Sequence, residues 1–161
     1  MQSQQPLIVG EFARSLDDRY RLSVPNEMME LLAPDGKECV LVKERRGCLS
    51  LWNHESWKKR WEAGVELIRQ KVQMGRLDMQ LSRVQQFGRL LSSRFRVIPI
   101  AQRSRIVIPE GFREFLGVEP GGEVMIVGAA VCVEIWHPQH WKTYLERRMP
   151  RFPKLYQALS Q

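Results

Sequence analysis

Short aliphatic runs, each stopped by a proline and followed by a stripe at helical spacing, occur twice along the chain. The runs Arg21-Leu22-Ser23-Val24 and Arg105-Ile106-Val107-Ile108 have the β-branched and aliphatic character of strands. Each meets a proline, Pro25 or Pro109, that cannot donate to a sheet ladder. The residues that follow, Met28, Leu31 and Leu32 in one place and Phe112, Phe115 and Leu116 in the other, keep the i, i+3, i+4 spacing of a short amphipathic helix. Pro34 and Gly117 are positioned to end these helices. Beyond them, Cys39–Val42 with Cys48–Trp52, and Glu123–Val127 with Val131–Trp136, read as two hairpins. A closing helix follows each, with Asn53 as an N-cap in the first and Pro138 as the first helical residue in the second.

These recurrences share one register. Arg105 lies 84 residues after Arg21, and the same offset superposes Arg19 on Arg103, Pro25 on Pro109, Leu32 on Leu116, Cys48 on Cys132, Trp52 on Trp136 and Trp57 on Trp141. Two tryptophan pairs at a single gapless offset identify a repeated unit. The four tryptophans are expected to pack each closing helix onto its sheet. From Trp57 to Ser92 the chain is mostly helix-forming, and Leu77, Leu81, Val84, Phe87 and Leu91 make an apolar stripe. Such a stripe is expected to pack within the chain; a subunit interface is the alternative. The reading is therefore an α+β fold with a first repeat over residues 1–60, a helical connector over 61–92, and a second repeat with a C-terminal helix over 93–161. A unit of about 60 residues buries little surface alone, so the halves are expected to share one core.

Composition narrows the function classes. With 43% hydrophobic and 27% charged residues in 161, the chain has the balance of a folded soluble protein. The longest apolar stretch, Val124 to Val133, contains Gly128 and is about half the ~20 residues a membrane-crossing helix needs. The first residues carry no basic start and no apolar run of a secretory leader, so a cytoplasmic location is expected. Cys39, Cys48 and Cys132 are an odd number without CxxC spacing, and His54, His137 and His140 lack a metal-site pattern. No nucleophile elbow, HExxH, GxGxxG or phosphate loop occurs. Neither enzymatic activity, nor a cofactor, nor a small-molecule substrate is expected. The net charge of +7 favours a polyanionic partner.

What repeats instead of catalytic residues is a basic cluster ahead of each proline-stopped strand: Arg19 and Arg21 in the first unit, Arg103 and Arg105 in the second, with Arg14, Arg94 and Arg96 just upstream. Read as extended strand, Asp17–Arg21 and Ala101–Arg105 put alternate arginines on one strand face. The same charges would also suit a solvated edge that resists aggregation. Asp17 stands four residues before Arg21, close enough across a tight turn to accept from its guanidinium; Ala101 holds the equivalent place before Arg105 and can accept nothing.

The segment from Leu16 to Pro25, its copy Arg105-Ile106-Val107-Ile108-Pro109, and the Leu51-Trp52 and Ile135-Trp136 strand ends resemble the MraZ family of two-repeat transcription factors of the AbrB-like (SpoVT-AbrB) class, over nearly the whole chain. The resemblance implies two repeats interleaved as a swapped-hairpin β-barrel, ring-shaped homo-oligomers, and sequence-specific binding to direct repeats in double-stranded DNA upstream of a division and cell-wall gene cluster. It further implies a nucleoid-associated regulator, expected to be a repressor. Carried over by position, the family's Asp-x-x-x-Arg falls on Asp17 and Arg21, with Arg19 at the basic position, and in the second repeat on Arg105 and Arg103. Arg14 is added as a neighbouring DNA contact. Ala101 replaces the second Asp, and Tyr20 and Ser104 stand where the family has glycine. An oligomeric, non-catalytic interaction module with weak or lost DNA binding is the competing expectation.

Overall fold

The computed structural model describes residues 6–74 and 81–161. In the first half, strand β1 (Glu11–Ser15) precedes β2 (Arg21–Ser23), helix α1 (Asn26–Leu32), the hairpin β3 (Glu38–Arg45) and β4 (Cys48–Trp52), and the long helix α2 (His54–Gln73). In the second, α3 (Leu81–Arg94) leads into β5 (Phe95–Pro99), β6 (Arg105–Val107), α4 (Arg113–Leu116), the hairpin β7 (Glu123–Gly128) and β8 (Val133–Trp136), α5 (Pro138–Arg148) and α6 (Phe152–Leu159). The fold is α+β and all its strand pairs are antiparallel.

Six strands form one sheet in the order β1-β7-β8-β4-β3-β5, and β2 pairs with β6 in a separate two-stranded ribbon. The first strand of each half closes the far edge of the other half's hairpin: β1 runs against β7 from Glu11↔Val127 to Ser15↔Glu123, and β5 runs against β3 from Glu38↔Pro99 to Val42↔Phe95. The hairpins meet at the centre, where Leu49 faces Ile135 and Ser50 faces Glu134.

Strand alternation sorts the side chains to two faces. One face carries Leu41, Leu49, Leu51, Val124, Ile126, Val133 and Ile135, all with essentially no exposure, and is covered by Leu22 and Ile106 from the ribbon, by Met28 and Leu32 from α1, by Leu116 from α4 and by Phe112 just before it. This main core draws on both halves, and truncating one of its leucines to alanine is expected to cost about 2–5 kcal/mol. The opposite face carries two aromatic clusters. Trp52 and Trp57 pack at 5.8 Å with Phe95 beside them, and Trp136 and Trp141 pack at 5.1 Å with Tyr144. The tryptophans thus join α2 and α5 to the sheet, as their spacing predicts. The indole Nε1 of Trp57 is buried without a hydrogen-bond partner among the described residues.

Local chemistry sets the boundaries. Asn53 accepts from the Ser56 amide at 3.1 Å and caps α2, Pro138 opens α5, and Gly117 (φ 79°) ends α4 in the left-handed conformation that a Cβ disfavours. Four expectations need correction. β1 and β5 are additional strands that the sequence pattern does not announce, because both are edge strands with exposed polar positions. In α1 the buried stripe is Met28, Met29 and Leu32, while Leu31 faces solvent. The described part of the connector stripe stays open: α3 has no buried residue, Leu81 and Phe87 are exposed, and Leu77 lies outside the described residues. The C-terminal helix is two helices, α5 and α6, joined by a 3-10 turn at Met149–Arg151.

Candidate nucleic-acid interface

The ribbon is built for two-sided use. Leu22 and Ile106 point into the core, so the residues that alternate with them, Arg21, Ser23, Arg105 and Val107, share the outer face. Pairing of Arg21 with Val107 and of Ser23 with Arg105 sets the two arginines diagonally across the ribbon, a relation with a typical Cβ separation of about 7–8 Å. The ladder continues symmetrically beyond both strands, since the Val24 amide donates to the Ser104 carbonyl at 3.0 Å and the Ile108 amide donates to the Tyr20 carbonyl at 2.9 Å.

Arg19 and Arg103 do not alternate with their neighbours along extended strands, contrary to the expectation. Both lie in turns, because each segment must reverse between its edge strand and the ribbon: Arg19 sits in the turn at 18–19, and Arg103 (φ 61°) in a 3-10 turn at Gln102–Ser104. The turns flank the antiparallel ribbon at its opposite ends, so Arg19 and Arg103 each lie two residues before a ribbon arginine. Arg14 does not join them. It sits on β1 opposite Val124, with its guanidinium over the Phe12 ring and donating to the Ala13 carbonyl at 3.0 Å.

The first turn is organised by one carboxylate. Asp17 Oδ1 accepts the Arg19 amide at 2.9 Å and the Arg21 amide at 2.8 Å, while Oδ2 accepts Arg21 Nε at 2.6 Å. The backbone hydrogen bond from Arg21 leads the interactions that hold the Asp17 carboxyl below its ordinary range, and the guanidinium adds to it. In the second turn Ala101 and Arg105 are joined by backbone hydrogen bonds of 2.8 and 3.4 Å, with no side-chain latch.

The two positions where the family resemblance expects glycine are both left-handed: Tyr20 has φ 59° and Ser104 has φ 54°. A Cβ there carries a steric cost, and each side chain has a compensating contact. Tyr20 packs against the main core beneath the Arg113 guanidinium, 4.0 Å from the ring centroid, so its bulk is turned away from the outer face. Ser104 Oγ donates to Asn26 Oδ1 at 2.7 Å, tying the second turn to the start of α1. Arg113, whose Nε also donates to the Ile108 carbonyl at 2.8 Å, and Asn26 are supporting residues that no sequence signal singled out. The cysteines offer no nucleophile: burial pushes the Cys39 and Cys132 thiols up to about 12 and raises Cys48 as well. No helix among the described residues is long and apolar enough to cross a membrane.

A family model described as "MraZ protein, putative antitoxin-like" matches residues 101–160. A protein of Thermus thermophilus named transcriptional regulator MraZ is 31% identical over 144 residues, covering 89% of this chain and 91% of its own. The chain belongs to the MraZ family. Proteins of the same name from Thermomicrobium roseum and Heliobacterium modesticaldum are each 27% identical, the first over 96% of this chain and 98% of its own, the second over 95% and 96%. The match to the MraZ family model covers the second ribbon strand and its turn, including Ala101 and Ser104.

Proposed function

We propose that this MraZ-family chain is a non-enzymatic, sequence-reading DNA-binding transcriptional regulator, acting as a repressor, whose β2–β6 ribbon enters the major groove. The observation that carries this is the ribbon's outer face, where Arg21 and Arg105 stand diagonally on a rigid two-stranded support with Arg19 and Arg103 in the flanking turns. The major groove, about 12 Å wide, admits a two-stranded ribbon, and arginine is the side chain best suited to bidentate contact with guanine. On this reading the Asp17 latch presents Arg21 as the base reader, while Arg19 and Arg103 hold phosphates. The interleaving of β1 and β5 supports the swapped-hairpin, AbrB-like arrangement of repeats over 1–60 and 93–161 with a connector over 61–92.

The target is proposed to be direct repeats ahead of a division and cell-wall gene cluster, bound by a ring-shaped homo-oligomer in the cytoplasm, at the nucleoid. One ribbon offers few base-reading groups, and linking several raises apparent affinity about 100- to 10,000-fold. The competing reading, a non-catalytic interaction module, draws on the exposed apolar face of α6 (Phe152, Leu155, Tyr156 and Leu159). A salt series on duplex DNA separates them: the logarithm of affinity should fall linearly with that of salt, by about 0.9 per phosphate neutralised. Absent or salt-independent binding would favour the module.

A further inference from the structure

Two cavities lie against equivalent tryptophans in the two halves, Trp136 and Trp52, and differ in charge. One, of about 330 Å³, lies between the β3–β4 turn and α5, with Arg45, Arg46, Arg147 and Arg148 around its rim and Trp136 and Tyr144 in its wall. The other, of about 550 Å³, lies between α1, the β7–β8 turn and the start of α2, where Glu30, Leu31, Trp52, Arg60, Ala130 and Val131 line it. At the 84-residue offset Trp52 corresponds to Trp136, Ser56 to His140, Arg60 to Tyr144, and Ala130 to Arg46. Where one turn carries Arg45-Arg46-Gly47, its counterpart carries Ala129-Ala130-Val131. One site is therefore ringed by four arginines, while its equivalent holds one, Arg60 over Trp52, together with Glu30, a divergence that the fold itself does not require.

The cationic cavity is pre-arranged. Arg45 lies over the rings of Trp136 and Tyr144, at 5.6 and 5.2 Å, and Arg148 lies 6.0 Å from Tyr144. These distances put the guanidinium groups within cation–π range of the aromatic rings. The turn is pinned from both sides: the Gly47 amide donates to the Phe115 carbonyl and the His137 amide donates to the Gly47 carbonyl, each at 2.8 Å. Gly47 has φ 82°, and a Cβ on it would meet the His140 ring at 2.5 Å, so the turn sits directly against α5. Among the described residues none of the four guanidiniums forms an ion pair. Arg45 acts on the nearby Glu134 carboxylate, but four guanidiniums converging from two elements on one small concavity leave a positive balance that attracts an anion.

We propose that this cavity binds a compact polyphosphate, either the phosphate chain of a nucleotide or a free inorganic polyphosphate. Guanidinium groups match phosphate bidentately, and four of them suit two or more phosphate groups rather than one. The volume lies at the small end of ligand sites, enough for a phosphate chain with its first sugar. DNA held on the ribbon does not account for the cluster. α5 packs on Cys48, Val127 and Trp136, the sheet face opposite the one that the ribbon's Leu22 and Ile106 cover. The site is thus a second one, independent of the DNA-binding reading.

The test is calorimetric titration of the full chain with ATP and, separately, with inorganic triphosphate, both without divalent metal and at about 0.15 M ionic strength to suppress loose surface binding. Arg46→Ala/Arg147→Ala removes two charges without touching the Arg45 stack, and Lys58→Ala/Lys59→Ala removes two exposed charges from α2 as a matched control. Saturable binding at one ligand per chain is expected, weakened at least tenfold in the arginine variant and less than twofold in the control. Equal affinity for the two ligands would identify phosphate chains in general, and tighter ATP binding a nucleotide. Either result supports the site. No saturable binding of either ligand would overturn it, as would equal weakening in both variants or loss of binding in Arg21→Ala. So would an arginine-variant loss of duplex affinity as large as that of Arg21→Ala, which would make this face a DNA surface.

Discussion

Asp17 and Arg21 hold each other at both backbone and side chain: one carboxylate oxygen accepts the Arg21 amide at 2.8 Å while the other accepts its Nε at 2.6 Å. Ala101 and Arg105, at the equivalent positions, share backbone hydrogen bonds alone. The two halves therefore present arginines of different order on one ribbon. Immobilising a long side chain on binding costs about 0.5–1.5 kcal/mol, a cost that Arg21 largely meets before DNA arrives and Arg105 does not.

The latch should survive to acid pH. Its carboxyl is held below the ordinary value of 3.8, so the stabilisation is fully present above that value and is lost as pH falls through the depressed one. The Arg21 Nε–H resonance, followed by NMR, should stay protected from about pH 6 down to about 4 and collapse only below. Collapse well above pH 4 would contradict the assignment. Asp17→Asn should lose the protection at every pH, because the amide cannot supply the same charged acceptor.

Arg103→Gly should separate stability from binding. Arg103 is exposed and left-handed at φ 61°, a conformation that costs a non-glycine residue about 1–2 kcal/mol. Glycine relieves this but raises the entropy of the unfolded chain by an equivalent of about 0.4–1 kcal/mol. A net gain of about 0.5–1 kcal/mol is expected, seen as a rise in Tm of a few degrees, together with weaker duplex binding. A variant that binds DNA as the parent does would remove Arg103 from the interface.

The halves should not fold apart. In residues 1–75, β1 lacks its partner β7, β3 lacks β5, and Leu22 lacks Ile106 across the ribbon. Circular dichroism of that fragment should show no cooperative unfolding transition. A soluble monomer with a sharp transition would contradict the exchange of edge strands.

The sequence was most legible where one residue does one job. The tryptophans, Pro138, Asn53 and the Asp17–Arg21 spacing each predicted a contact or boundary that the structure contains, since each rests on local geometry or on a large apolar ring with one place to go. The edge strands escaped because Glu11-Phe12-Ala13-Arg14-Ser15 buries only part of one face and is held by β7, 108 or more residues away, rather than by its own propensity. Arg19 and Arg103 were given strand geometry by spacing alone, whereas side-chain acceptance by Asp17 and left-handed backbone at Arg103 make those segments turns. The support of Tyr20 by Arg113 depends on a contact between residues 93 positions apart, for which the chain offers no local cue.

The central claim, that the ribbon arginines read DNA and do so unequally, is tested most directly by selecting bound duplexes from a random-sequence library with the parent, Arg21→Ala and Arg105→Ala proteins at one fixed salt concentration. A well-placed arginine on guanine contributes about 1–3 kcal/mol of discrimination, and a mobile arginine near phosphate gives mostly unspecific attraction. The parent should enrich a defined motif. Arg105→Ala should enrich the same motif with uniformly lower affinity, and Arg21→Ala should lose preference for at least one guanine-containing position. If Arg105→Ala loses the motif while Arg21→Ala keeps it, the latch at Asp17 does not mark the reading arginine; if neither variant alters affinity or motif, the ribbon is not the DNA-binding surface.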